Sequence, residues 1–164
     1  MPRSIACLLI LMLLLPSGCG NDRSEGPLRP SNPPVSLLRM SILDVVVYAN
    51  LMPMVPPDPV ICEVTLAVEN RSSGYPFSGL SVPSGYMYRS SDNSFLGFFR
   101  FSSAWDGRVG PSSIDTFTVR KRQEDAAIFS PPCGEDVYLY IFLSDGRYSG
   151  LADRSTGINF QCVY

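Results

Sequence analysis

The chain has 164 residues, a net charge of −2 at pH 7 and no histidine. A mildly acidic chain without a basic stripe is a poor nucleic-acid binder, because neutralisation of phosphates dominates that affinity. The lack of histidine excludes Ser–His and Cys–His nucleophile pairs, histidine-ligated zinc and a histidine pH switch. The sequence indicates no cofactor and no metal site.

Residues 1–18 have the layout of a secretory signal peptide. Arg3 supplies a positive start, and residues 5–15 form an unbroken apolar run. A helix of that length reaches only about half way across a ~30 Å hydrocarbon layer. We therefore expect a leader that is removed, and not a permanent membrane span.

The leader runs through Pro16-Ser17-Gly18 into Cys19. Small residues that precede a cysteine resemble the lipobox of bacterial lipoproteins. The resemblance implies cleavage before Cys19, a lipid on its sulfur, and attachment of the protein to a membrane of the cell envelope. Gly20 in the next position resembles outer-membrane sorting, facing the periplasm, if the host has two membranes. The alternative is an ordinary secreted protein cut near Gly18 or Gly20, with Cys19 in a disulfide.

Residues 19–34 follow as a polar segment that is rich in proline. Such a segment cannot bury enough apolar surface to offset the entropy of ordering it. We predict that it is a disordered tether, extended by its prolines, between the lipidated Cys19 and a single domain over residues 35–164.

Alternating apolar and polar residues predict strands throughout that domain. The alternation slips near Leu43-Asp44, which indicates a bulge or a switch between sheets. About seven to nine short strands separated by turn signals are typical of an antiparallel β-sandwich. The predicted strands cover 37–48, 60–69, 116–120, 137–143 and 158–162, with weaker ones around 77–82, 86–89 and 95–101.

The segment Val68-Glu69-Asn70, followed later by Gly110-Pro111-Ser112-Ser113 and a strand containing Phe117, carries a second resemblance. This order is similar to the immunoglobulin-like or fibronectin-like modules of bacterial envelope lipoproteins. In those modules an Asn closes one strand and a Gly/Pro turn opens a later one. The resemblance implies an immunoglobulin-like sandwich and no activity.

Three cysteines, Cys62, Cys133 and Cys162, remain if the leader is removed and Cys19 carries lipid. If the strands around Val137 and Ile158 pair antiparallel, Cys133 lies opposite Cys162, at a separation that a disulfide bridges. We favour this pair, which leaves Cys62 as an inert core thiol. The alternative is a Cys62–Cys133 bridge between two sheets.

Aromatic side chains on the face of their strand away from the core form a candidate binding platform for sugars or partner proteins. The other reading is that a central strand is covered on both sides, which leaves these rings little exposed. The platform residues are Tyr138, Tyr140 and Phe142, with Tyr86 and Tyr88 beside them, and Tyr148 as a further candidate.

Charged clusters offer weaker candidates for function. Residues 120–122 are interpreted as a solvated basic strand end. Neighbouring carboxylates, Glu124-Asp125 and Glu135-Asp136, point to opposite faces of a strand and do not converge on one substrate atom. Asp145 and Asp153 lack the ligand spacing of known calcium motifs.

These observations favour a lipid-anchored, extracytoplasmic and non-catalytic β-sandwich. Its predicted partners are the membrane, through the N-terminal lipid, and a protein that the sequence does not identify. A carbohydrate- or small-ligand-binding module that uses the outward aromatic rings is one alternative. A hydrolase with an unrecognised carboxylate site is another.

Overall fold

The computed structural model describes residues 34–53, 59–122, 130–146 and 150–164. Within these ranges the chain forms nine strands and one short 3-10 helix, Val35–Leu37, and no helix is long and apolar enough to cross a membrane. The predicted leader, Cys19 and all but Pro34 of the tether lie outside these ranges. The strands are β1 Leu38–Asn50, β2 Val60–Asn70, β3 Ser81–Arg89, β4 Phe95–Ser102, β5 Ile114–Lys121, β6 Asp136–Ser144, β7 Gly150–Arg154, β8 Ile158–Asn159 and β9 Gln161–Val163.

The strands follow the continuous order β7-β6-β3-β4-β5-β2-β1-β9, and β8 pairs with β6. All pairings are antiparallel except β1 with β9. The groups β1-β2-β5 and β3-β6-β7 correspond to strands A-B-E and C-F-G of an immunoglobulin fold. The predicted all-β sandwich of about seven to nine strands is therefore confirmed.

The core lies between these two groups of strands. Along β2 the strict alternation of the sequence appears directly as burial, with Val64, Leu66 and Val68 fully buried and the intervening residues half-buried. From the other group, Met87, Leu139 and Ile141 point inward to meet them. A period of two places every second side chain on one face, so these apolar residues define the inner face.

The irregularity predicted near Leu43-Asp44 is a bulge in β1. The pairing of β1 with β2 shifts register between Ile42 and Asp44, and the extra residue, Leu43, is 57% exposed. Next to the bulge, the Ile42 amide donates a hydrogen bond of 3.1 Å to a carboxylate oxygen of Asp153 on β7. The inward-facing carboxylate of Asp153 thus provides the hydrogen-bond acceptor for a backbone amide at the edge of β1.

Three details of the strand prediction were wrong. Residues 77–80 form no strand, because Phe77 makes only an isolated bridge to Val109, and β3 instead runs from Ser81 through the segment predicted at 86–89. The prediction missed β7. The predicted final strand is divided into β8 and β9 at Phe160, which is fully buried, so its second half leaves β6 and pairs with β1.

The disulfide joins Cys133 and Cys162, as predicted, with 5.4 Å between their Cα atoms. The strands pair in the register that the prediction assumed, with Val137 opposite Ile158. Cys62 is a free, buried thiol, so the alternative Cys62–Cys133 bridge is excluded. Burial, and to a smaller extent the charge of Glu63, raise the pKa of the Cys62 thiol well above its usual value. A thiol held neutral in this way is a poor nucleophile.

Candidate functional site: an aromatic sheet face

One outer face of the sandwich is covered by aromatic rings, and we call it the aromatic face. The register of the ladders brings the rings together, since Tyr86 lies opposite both Phe98 and Tyr140, and Tyr88 lies opposite Tyr138. Cross-strand neighbours of this kind are about 4.5–5.5 Å apart, close enough for rings to pack. The members are Tyr86 and Tyr88 on β3, Phe95 and Phe98 on β4, and Tyr138, Tyr140 and Phe142 on β6.

The rings form one connected cluster, because Phe95 contacts both Tyr86, at 6.2 Å between centroids, and Tyr88, at 5.6 Å. Around Tyr88, the Tyr138 ring is stacked at 5.4 Å between centroids and the Tyr140 ring is perpendicular at 5.8 Å. Around Tyr86, Phe142 packs edge-on at 5.3 Å and Phe98 is tilted at 6.4 Å. Edge-to-face and offset-stacked pairs are favourable arrangements of aromatic rings, so the face is held in place by its own contacts.

The five predicted platform residues all lie on this face, but they differ in accessibility. Tyr138 is only 4% exposed, because the Arg154 guanidinium lies 3.7 Å from its ring centroid and its hydroxyl donates a hydrogen bond to the Asn93 amide oxygen. Tyr86, Tyr88 and Tyr140 are half-buried and Phe142 is 36% exposed. Tyr148 lies outside the described residues.

Sequence reasoning missed the two most exposed rings of the face. Phe95 is 56% exposed and Phe98 is 41% exposed. Both occur in the predicted strand 95–101, but a shift in the β3–β4 register between Met87 and Tyr88 decides which of its residues face outward. That segment of the sequence is rich in aromatic residues, but its pattern of apolar and polar residues did not show which of them face outward.

The outer face of the β2–β5 pair is different in chemistry. Thr65 and Thr118 share a hydrogen bond of 3.3 Å, and Arg120 forms a salt bridge of 3.1 Å with Glu63. An antiparallel sheet with one face in solvent normally carries polar residues on that face. The aromatic face departs from this pattern, which marks it as the candidate site.

The basic cluster at residues 120–122 is not a uniformly solvated strand end. Lys121 is buried, and its ammonium donates to the carbonyl oxygen of Arg122 and lies 6.0 Å from the Phe99 ring centroid. The apolar stem of a lysine can be buried while its ammonium finds partners, which the sequence pattern does not reveal.

Three of the candidate carboxylates, Glu135, Asp136 and Asp153, have separate structural partners. Glu135 pairs with Arg89, whereas Asp136 accepts a hydrogen bond from Asn159 at 3.1 Å. Asp153 accepts from Ile42 and from the Arg154 amide. Within the ranges that the structure covers, no three Asp, Glu, Cys or His side chains are grouped so as to hold a metal ion. Glu124 and Asp125 lie outside those ranges.

Comparison with models of known protein families gives no match, and comparison with curated proteins gives none either. A rigid sheet that presents phenol and phenyl rings can bind a surface by burying apolar area and by donating hydrogen bonds from the tyrosine hydroxyls.

Proposed function

We propose that this protein is a lipid-anchored, non-catalytic binding module of the bacterial cell envelope, which contacts a protein partner through the aromatic face. The observation that carries the proposal is the exposure of Phe95, Phe98 and Phe142 around a framework of packed tyrosines. Contiguous exposed apolar surface on a soluble domain is typical of interaction sites, and aromatic residues are enriched in the cores of interfaces.

The rigidity of the face supports a role in binding. The rings stand on three neighbouring strands, since β3 pairs with β4 on one side and with β6 on the other. Side chains that are already ordered lose little conformational entropy when a partner binds, so more of the contact energy appears as affinity. An aromatic anchor on a sheet is therefore a stronger binding element than the same ring on a loop.

The anchor is supported by the leader and by Cys19 at its end. Several acyl chains are needed for stable attachment, because each buried CH₂ contributes about 0.8 kcal/mol and a single chain binds only marginally. A tether over residues 19–34 spans at most about 50 Å when fully extended, at roughly 3.3 Å per residue. In a host with two membranes, this attachment places the domain in the periplasm, at the outer membrane.

The proposal that the protein is not an enzyme is supported by the composition and by the carboxylates. The chain has no histidine, which removes the commonest general base. The described carboxylates Glu135, Asp136 and Asp153 are engaged with Arg89, Asn159 and backbone amides.

The anchor and the binding face are tested separately. Mass spectrometry of the mature protein is expected to show acylated Cys19 at the N-terminus, and a C19S variant is expected to leave the membrane fraction. An unmodified amine on Gly20 or on a later residue contradicts the anchor.

For the binding face, the full-length protein is crosslinked in its native membrane, and the crosslinked proteins are quantified. The F95S/F142S variant is compared with the control V46S/I114S. Val46 and Ile114 are exposed to a similar extent, but they lie on the other group of strands, β1-β2-β5. We expect a partner that the wild type and the control retain and that F95S/F142S loses. Equal retention by both variants, or equal loss, contradicts a role for the aromatic face.

A further inference from the structure

Two shallow grooves lie side by side at the end of the aromatic face, where β4 leaves β3 and joins β5. The first groove has a volume of about 420 Å³ and the second a volume of about 340 Å³, and both volumes lie within the range of small-ligand sites. Pro83, Phe101 and Arg122 line both grooves. The first groove is also lined by Ser84, Tyr86, Phe98 and Arg100, and the second by Ser81, Ser102, Ser103 and Trp105.

The grooves arise from two local breaks in the sheet. The β3–β6 register shifts between Ser81 and Ser84, on either side of Pro83, whose nitrogen has no hydrogen to donate to the ladder. Meanwhile β4 pairs with β3 as far as Arg100 and then with β5 at Phe101 and Ser102. Strands that diverge at a corner leave surface depressions between them.

Each groove has an aromatic wall that is fixed in position. In the first, Tyr86 and Phe98 are cross-strand neighbours. In the second, the Trp105 ring is stacked on Phe117 at 3.9 Å between centroids, and its indole nitrogen donates a hydrogen bond of 2.6 Å to Asp115. Flat apolar rings of this kind pack against the C–H faces of sugars, and serine hydroxyls beside them can exchange hydrogen bonds with sugar hydroxyls.

A cationic side chain lies at the boundary between the two grooves. The Arg122 Nε–H donates to the Phe101 carbonyl oxygen at 3.3 Å, and the backbone amide of Arg122 donates to the Arg100 carbonyl oxygen at 2.9 Å. Both bonds fix Arg122 beside Arg100. None of the described residues that line either groove is acidic. A guanidinium group matches the geometry of a carboxylate or phosphate and binds it with two parallel hydrogen bonds.

We propose that the paired grooves bind an acidic saccharide. One sugar ring lies on Tyr86 and Phe98, a second lies on Trp105, and a carboxylate between them binds Arg122. Two adjacent aromatic walls with a cation between them fit a chain of at least two sugar units. The protein contact proposed above shares Tyr86 and Phe98 with the first groove, but it also uses Phe95 and Phe142, which line neither groove, so substitutions at those two residues test it separately.

Trp105 is the only tryptophan in the chain, so its fluorescence reports on occupancy of the second groove. The full-length protein in detergent is titrated with oligosaccharides that alternate glucuronate and N-acetylglucosamine, and with neutral N-acetylglucosamine oligomers of equal length. We expect saturable changes in fluorescence with the acidic oligomer, and at least tenfold weaker binding of the neutral one.

The variants locate the site. R122Q and S84E are each expected to weaken binding of the acidic oligomer at least tenfold with thermal unfolding unchanged, whereas R39Q, on the outer face of β1, is the matched control. If R122Q destabilises the fold, S84E alone decides.

Four outcomes would overturn the proposal. Two concern the ligand: the neutral oligomer, or polyglutamate of the same charge, binds as well as the acidic oligomer. A third is that R39Q weakens binding as much as R122Q does, and the fourth is that oligomers of glucuronate, galacturonate and sialic acid all fail to bind. Loss of the protein partner in F95S/F142S with saccharide binding retained separates the two functions.

Discussion

The side-chain amide of Asn70 donates a hydrogen bond of 2.8 Å to the carbonyl oxygen of Gly110, forty residues further along the chain. The same amide also donates to the Tyr75 carbonyl, and its oxygen accepts from the Ser72 amide at 2.9 Å. Asn70 is only 1% exposed. The end of β2 and the turn before β5 are thus joined by one buried side chain, and these are the two segments that carried the immunoglobulin-like resemblance in the sequence.

Replacing Asn70 with Ala is expected to lower the free energy of unfolding by about 2–4 kcal/mol, because buried carbonyl and amide groups lose their partners. Denaturant titration of the full chain measures the change. Asn50→Ala is the control, since among the described residues its side chain accepts one exposed hydrogen bond, from the Met52 amide, and a loss below about 1 kcal/mol is expected. Equal losses in the two variants would show that the Asn70 network contributes little.

The Cys133–Cys162 disulfide connects residues 29 apart in sequence and ties the start of β6 to β9. In the chain-entropy model, removing a bridge of this span lowers stability by roughly 3.6 kcal/mol. We expect the C133S/C162S variant to show that loss in denaturant and a lower melting temperature. A double variant as stable as the wild type would mean that β9 is held by its pairing with β1 alone.

Cys62 and Cys19 together predict a thiol count. The native mature protein is expected to react with no thiol reagent, because Cys62 is buried and its pKa is raised. After unfolding without reduction, one thiol per chain is expected to react. A second reactive thiol would indicate that Cys19 carries no lipid, and a thiol that reacts in the native state would contradict the burial of Cys62.

The raised pKa of Cys62 also predicts a loss of stability at alkaline pH. A raised native pKa means that the unfolded thiol ionises first, near pH 8.5, while the native thiol stays neutral. Its contribution to stability is therefore complete below about pH 8.5 and declines as pH rises further, by up to roughly 1.4 kcal/mol per pH unit. The free energy of unfolding, measured from pH 7 to 10, should fall more steeply for the wild type than for Cys62→Val. Parallel curves would contradict this linkage.

Where local pattern and burial agree, the sequence was sufficient to predict the structure. In β2 the alternation predicted both the strand and its inner face, and the slip at Leu43 located the bulge. The disulfide could be predicted because two recognisable strands set the register between Cys133 and Cys162. Each of these inferences needed only a period of two and one assumed pairing.

The features that the sequence did not reveal depend on tertiary contacts. β7 was missed because Asp153 occupies an inward position to receive the Ile42 amide, which interrupts the apolar alternation. Lys121 is buried against Phe99 although a charged residue normally indicates the surface. The platform was predicted from β3 and β6, but Phe95 and Phe98 join it only through the register of β4, and the two grooves depend on where that strand changes partners.

Replacing two different rings of the aromatic face is expected to have opposite effects on stability and on partner binding. Tyr138 is buried beneath Arg154 and bonded to Asn93, so Tyr138→Ser is expected to lower the free energy of unfolding by about 3 kcal/mol. Phe95 is more than half exposed, so Phe95→Ser is expected to cost less than about 1 kcal/mol while it weakens binding of the partner. Denaturant titration and quantitative crosslinking on the same two variants measure both properties. If Phe95→Ser destabilises the protein as much as Tyr138→Ser does, the exposed rings serve packing and not recognition, because a contact surface reserved for a partner adds little to the stability of the isolated domain.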